Sequence, residues 1–309
     1  MIHYIDKNGV QAAVRGCEWA TAYRNGIACV KYSTGSVCIV DRFGFNKMRM
    51  PDFQEDPTAL IEDRAVVRNR RLFGYVDLNG HLVIPPAYLY AEAFSERVAV
   101  VQTHDGYTLI DSSGHPKCER FYRRLNSFRE GKSVANIAGQ NFYINHELDV
   151  VLGPFDAAED FAEDLAFVVQ RGTESYIGHD GEVRFVNRWD ALAPGCHGGR
   201  IQFSHADKYG FLDKKGNIVI EPRYEDAGLF SEGIAIVDAA LYKLAIDVDG
   251  RTLFRANCEW IGNFSDGVAR FSNSNRYGYM DRAGNVIIAP QFAWADDFSE
   301  GLAAVEPHA

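Results

Sequence analysis

The feature that most constrains this chain is a period of about 34 residues that runs through nearly all of its 309 residues. The stretch KYGFLDKKGNIVIEPRYEDAGLFSEGIAIV, from Lys208 to Val237, returns as RYGYMDRAGNVIIAPQFAWADDFSEGLAAV from Arg276 to Val305. It returns again as LFGYVDLNGHLVIPPAYLYAEAFSERVAVV from Leu72 to Val101. An Asp three residues before a Gly recurs at Asp6, Asp41, Asp77, Asp111, Asp213, Asp247 and Asp281, with Asn145 and Gly178 in the same slot of two degenerate copies. A second marker, a small residue, falls at Ala28, Ala65, Ala99, Ser133, Ala166, Ala235, Ala269 and Ala303, with Ile201 as the exception. The second marker follows the first by 21 to 24 residues in every copy. Two independent markers at one period define a tandem repeat.

Each copy reads as β-structure. In Tyr209-Gly210-Phe211-Leu212-Asp213, alternate side chains point to opposite faces of a strand. Asp213 opens a turn by capping its own backbone, and Gly216 supplies a positive φ. Gly holds that slot in eight of nine copies, Leu148 being the other. Ile218-Val219-Ile220 is a β-branched second strand that ends at Pro222. Phe230-Ser231-Glu232-Gly233 is a second turn, and Ile234 to Val237 is a third strand. A three-stranded antiparallel meander is marginal alone and needs neighbours to cover its aromatic face. The expected fold is therefore all-β, with tandem meanders in a propeller-like array. An open β-superhelix of the same units is the alternative. One domain spans 1–309, in units of about 2–36, 37–72, 73–106, 107–140, 141–174, 175–207, 208–241, 242–275 and 276–309.

The pattern aromatic-Gly-aromatic-x-Asp-x-x-Gly-x-x-Val-Ile-x-Pro, followed by Phe-Ser-Glu-Gly-x-Ala-x-Val, resembles the bacterial WG repeat family. The copies from Tyr209 to Val237, Tyr277 to Val305 and Phe73 to Val101 carry the resemblance. The Trp that names the family is Tyr or Phe here. The resemblance implies an all-β interaction repeat with no catalytic residues to carry over.

Charge narrows the partners. A net charge of −10 and a pI near 5.4 disfavour general nucleic-acid binding, which needs a basic face to release counterions. No apolar run approaches the roughly 18 residues of a membrane span. The opening MIHYIDKNG is already in repeat phase, which leaves no room for a signal peptide. Cys17, Cys29, Cys38, Cys118, Cys196 and Cys258 form no CxxC, and they read as reduced thiols of a cytoplasmic protein. Unpaired terminal strands would allow a weak dimer beside the monomer.

Departures from the repeat mark candidate contacts. The stretch from Phe43 to Arg64 is the largest irregularity. Arg64, Arg68, Arg70 and Arg71 follow it, and Lys117, Arg120, Arg123, Arg124 and Arg129 form a second basic group. Both suit an anionic partner surface, and both also fit a solvated strand edge. In the sixth copy, Cys196-His197-Gly198-Gly199 replaces the aromatic turn. Neighbours on a strand point apart, so this pair reads as a worn turn or a contact loop rather than a thiol with its base. Nine scattered histidines give no metal-ligand spacing. Asp247-Val248-Asp249-Gly250 lacks the later oxygen ligands of a calcium loop. No cofactor motif is present.

These features lead to an expectation of a non-catalytic protein-interaction scaffold, an adaptor or neutralising partner of another bacterial protein. A small-ligand or glycan binder using the aromatic rings is the alternative.

Overall fold

The computed structural model describes residues 1–50 and 61–308, with backbone only for 46–50. Residues 51–60, in the irregular Phe43–Arg64 stretch, lie outside the described residues. The described chain is all-β: antiparallel sheets, one of ten strands and the others of three or four, follow one another in a propeller-like array.

The sheets are out of phase with the sequence unit. Ile201–His205, Lys208–Leu212 and Ile218–Tyr224 form consecutive strands of one sheet, with the two-residue strand Ala191–Leu192 on the outer side of Ile201–His205. The third strand of the 208–241 unit, Ile234–Ala239, instead joins Asp226–Ala227, Tyr242–Asp247 and Thr252–Ala256 in the next sheet. The reason is connection length. Ala239 and Tyr242 are joined by a tight hairpin, which fastens each third strand to the following copy. The residues after Pro222 turn away and supply Asp226 and Ala227, which pair with Asp238 and Val237.

A register shift between Tyr209 and Phe211 brings the neighbouring strand close to Gly210. A Cβ on Gly210 would lie 2.5 Å from the Ile220 carbonyl oxygen. The glycine of the aromatic-Gly-aromatic pattern is therefore a matter of space.

The chain divides into two compact units. The first holds Met1–Tyr122, Ser272–Tyr279 and Val286–Ala309; the second holds Arg123–Phe271 and Met280–Asn285. In the first, β1 (Ile2–Asp6) lies between β2 (Gln11–Ala20) and the last strand, Leu302–Pro307, pairing His3 with Val305 and Asp6 with Leu302. The first and last strands are thus hydrogen-bonded to each other within this unit.

Both faces of the central strands are buried, because neighbouring sheets share each layer of core. Phe211, Ile220 and Tyr224 of one sheet meet Ala227, Ala235, Val237 and Ile246 of the following sheet and Phe230 of its turn. Phe211 and Phe230 are edge to face at 4.8 Å, and the pairs Tyr75–Phe94 and Tyr143–Phe161 repeat the arrangement at 4.9 and 5.0 Å. Such a pair adds about 0.5–1.5 kcal/mol beyond the area it buries. Where the slot is Tyr, the hydroxyl donates to a backbone carbonyl: Tyr75 to Glu92 at 2.7 Å and Tyr143 to Glu159 at 2.6 Å. The small residue at the second marker follows from this packing, since Ala235 is fully buried in the shared layer.

Candidate functional site

The repeat's polar residues come first, because they decide what is left for chemistry. Asp213 Oδ1 accepts from the backbone N–H of Lys215 and of Asn217, both at 2.8 Å. Asp6, Asp41, Asp77, Asp111, Asp247 and Asp281 each make the same pair of bonds. Asn145 keeps one of them, to Asp149 N. These carboxylates are occupied by their own turns.

The Phe-Ser-Glu-Gly turn has a function that its residue types alone do not announce. Ser231 and Ile234 exchange both of their backbone bonds around a two-residue loop, and Glu232 and Gly233 both have positive φ, 51° and 77°. This is the geometry of a type I′ turn. Its two central N–H groups point outward with no partner inside the hairpin, forming a nest for an anion. The acidic residue of one turn fills the nest of the next. In the first unit, Glu62 accepts from Glu96 N and Arg97 N, both at 2.7 Å. Glu300 accepts from Asn25 N at 2.7 Å and Gly26 N at 2.8 Å. In the second, Glu130 takes Glu163 N and Asp164 N at 2.6 and 2.9 Å, and Glu163 takes Gly198 N and Gly199 N, each at 2.7 Å.

A basic residue just after the Asp slot covers several of these clasps. Arg282 reaches Glu232 through Oε2 at 3.2 Å and its carbonyl at 2.7 Å, and Arg42 reaches the Glu300 carbonyl at 3.0 Å. Lys214 Nζ lies 3.7 Å from Glu163 Oε2. In the sixth copy His179 takes this place, with Nε2 3.1 Å from Glu130 Oε2 and its ring stacked on Phe161 at 4.2 Å. Glu130, Asp164 and His179 bring their ligand atoms within 4.8 Å of one another, which is metal-ligand spacing. Lys132 Nζ stands 3.0 Å from His179 Nδ1, however, and Glu130 already accepts two backbone N–H groups. The cluster is satisfied as a hydrogen-bonded network.

The structure separates the first basic group. Arg64 opens the strand Arg64–Asn69, with its guanidinium on the carbonyls of Asp63 and Ser112. Arg70 and Arg71 lie exposed at the other end of that six-residue strand, about 20 Å away at roughly 3.3 Å per residue. Arg68 lies between them, over the Phe73 ring at 5.3 Å. Only Arg70 and Arg71 share a surface, beside a cavity of about 580 Å³ lined also by Asn69, Leu72 and Pro86. In the second group, Arg120 belongs to the first compact unit, while Arg123 and Arg124 belong to the second. All three are exposed, and Arg124 donates to Asn126 at 3.3 Å.

Cys196 is not a surface contact. It takes the slot that is aromatic in other copies and is buried with Leu165, Tyr176, Phe203 and Leu212. Burial, with the Glu163 carboxylate 3.5 Å from the sulfur, pushes its thiol up to about 12. His197 forms the hairpin flank with Arg200, and its N–H bonds the Arg200 carbonyl. A thiol held protonated in a core is a poor nucleophile.

Residues 73–107, 209–238, 245–277 and 277–306 match the family described as WG containing repeat. No curated protein matches the chain. Among solved structures, a eukaryotic initiation factor aligns over 98% of this chain and 97% of its own, at 12% identity and a TM-score of 0.67, which is a likeness of fold. The computationally designed Ika8 protein aligns over 86% of this chain and 93% of its own, at 14% identity and a TM-score of 0.46. Dihydro-heme d1 dehydrogenase NirN in complex with DHE aligns over 88% and 74%, at 12% identity and 0.48. A β-repeat array of this kind suits a binding or scaffold role. The four matched stretches carry the WG containing repeat and share its turn chemistry.

Proposed function

We propose that this protein is a non-catalytic interaction scaffold whose partner is another protein, which it links or neutralises in a bacterial cytoplasm, acting as a monomer or weak dimer. The observation that carries this reading is how the polar residues are used. The turn aspartates cap backbone, the turn glutamates clasp the next hairpin, and Cys196 is buried and protonated. Meanwhile Arg70 and Arg71 stand exposed beside a cavity at a hairpin tip. Chemistry is committed to the scaffold, and variation is left to exposed side chains, as in a recognition surface.

Capture from lysate of the source cell at physiological salt tests this. One protein retained in stoichiometric amount, and lost from an Arg70→Glu/Arg71→Glu or an Arg123→Glu/Arg124→Glu chain, supports it. Retention of nothing, or hydrolase activity that depends on Cys196, overturns it. A small-ligand or glycan reading draws on one cluster, where Tyr90 is edge to face with Phe73 at 6.1 Å and with Tyr107 at 6.4 Å. A thermal-shift screen of saccharides addresses it, because a compound that binds only the folded chain raises its Tm.

A further inference from the structure

The fourth residue before the Asp slot is Phe73, Tyr107, Tyr209 or Tyr277 in four copies. In the eighth copy it is Lys243. Its ammonium turns to Asp238 across the strand pair, with Nζ 2.7 and 2.9 Å from the two carboxylate oxygens. A cavity of about 260 Å³ opens beside this pair, lined by Asp238, Tyr242, Lys243, Arg255, Asn257 and Cys258 among others. Arg255 stacks on Tyr242 with its guanidinium carbon 3.5 Å from the ring centroid. Stacking fixes the plane of the guanidinium and leaves its N–H edge free. Among the described residues that guanidinium makes no hydrogen bond and no ion pair, and it is exposed. Asp238 neutralises Lys243, so the cavity keeps one net positive charge in a chain of net charge −10. Leu241, which also lines the cavity, is 84% exposed.

We propose that this cavity receives a carboxylate side chain from an acidic segment of a partner protein, held by Arg255 with Lys243 and Asn257 alongside, while an apolar neighbour in that segment packs on Leu241. A planar, preorganised guanidinium matches a carboxylate with two parallel N–H···O bonds. The cavity is smaller than the roughly 300–1,000 Å³ of drug-sized ligand sites, so it fits a side chain. Leu241 at its lip favours a peptide over a free anion, which would leave that side chain in water. The inference rests on the protein-interaction reading above and names the chemistry of the segment bound.

The test uses the full chain with labelled leucine methyl groups, followed by NMR. The probe is the peptide acetyl-Glu-Glu-Leu-Glu-Glu-amide, with its Gln counterpart and inorganic phosphate as separate arms. The acidic peptide is expected to shift the Leu241 methyl signals, the Gln peptide is not, and Arg255→Gln is expected to weaken the response about tenfold, the scale of one charge-assisted contact. Lys243→Met gives a second reading at the same cavity. An unmoved Leu241 signal, an equal response to the Gln peptide, a response to phosphate alone, or full binding by Arg255→Gln overturns the proposal. Lysate capture separates the two readings. A partner retained equally by wild type and Arg255→Gln removes this cavity and keeps the scaffold, whereas no partner for either chain removes the scaffold itself.

Discussion

Glu300 Oε2 lies 2.8 Å from the backbone nitrogen of Gly26, a residue 274 positions earlier in the chain, while Oε1 takes Asn25 N at 2.7 Å. Together with the pairing of β1 and the last strand, this carboxylate fastens the two ends of the sequence. Glu300 itself has φ of 52°, a left-handed conformation that costs a residue with a Cβ on the order of 1 kcal/mol. Strain and clasp oppose each other at one position, which makes the position informative. Replacing Glu300 by Ala removes the clasp and keeps the strain; replacing it by Gly removes both. The expected order of thermal stability is wild type, then Gly, then Ala. Exposure limits the clasp to about 1 kcal/mol, and thermal denaturation by circular dichroism reads the order. Equal stability of wild type and Ala would show that the strand pair alone holds the termini.

The glutamate clasp also marks the limit of what the residues show before the fold is known. The period, the Asp turn, the small slot and the aromatic layer are legible, because each is a local pattern of side chains repeated in phase. The clasp joins a side chain to backbone N–H groups about 34 residues on, and backbone carries no sequence signature. One signal does exist: Glu62, Glu96, Glu130, Glu163, Glu232 and Glu300 occupy the first central position of a turn that ordinarily selects Asn or Gly. A residue type that a turn disfavours, kept at one register, points to work outside that turn. The sheet phase was hidden for a different reason, since hairpin lengths rather than composition decide which copy a third strand joins. Arg64 to Arg71 looked continuous because sequence proximity does not reveal that a strand carries its two ends apart.

Acid should weaken the fold through its carboxylates. Partial burial alone would raise Glu163, but the N–H groups of Gly199 and Gly198, with Cys196 and Lys214, outweigh it and hold the carboxyl below its ordinary value. Burial likewise opposes, and turn hydrogen bonds overcome, the tendency at Asp77, Asp111 and Asp213. At Asp281 the Asn285 side chain is the largest influence, also downward. A folded-state value below the unfolded one stabilises the fold above the unfolded value and is lost as pH falls through the folded one. Stability in urea should therefore be flat from neutral pH to about 5 and fall below about 4, the ordinary range of free carboxylates. Glu163→Gln should make the fall shallower. An unchanged slope in that variant would remove Glu163 from the account.

Thiol chemistry should follow burial. Cys17 is pushed up to about 11 and Cys29 to about 12, both by burial first, and Cys196 to about 12. Cys118 and Cys258 are partly exposed. Alkylation of the native chain near pH 8, followed by peptide mass spectrometry, should modify Cys118 and Cys258, with Cys17, Cys29 and Cys196 reacting only after denaturation. Rapid native modification of Cys196 would reopen the case for a reactive thiol in the sixth copy.

The glycines separate space from conformation. Gly210→Ala places a Cβ 2.5 Å from the Ile220 carbonyl oxygen and 2.8 Å from Pro222 N, both backbone atoms that cannot swing aside. Gly233→Ala meets nothing within 4 Å, but its φ of 77° is one that Ala rarely adopts. The second change should cost on the order of 1 kcal/mol, a shift of a few degrees in Tm. The first must push two strands of a sheet apart and disturb the layer that Phe211 and Ile220 share with Ala235. Its cost should be several times larger, comparable to the 3–5 kcal/mol of emptying a buried aromatic site. Measured side by side in urea, a Gly210→Ala chain no weaker than Gly233→Ala would mean that the strand bulge relaxes freely, and that this glycine is kept for some reason other than close approach.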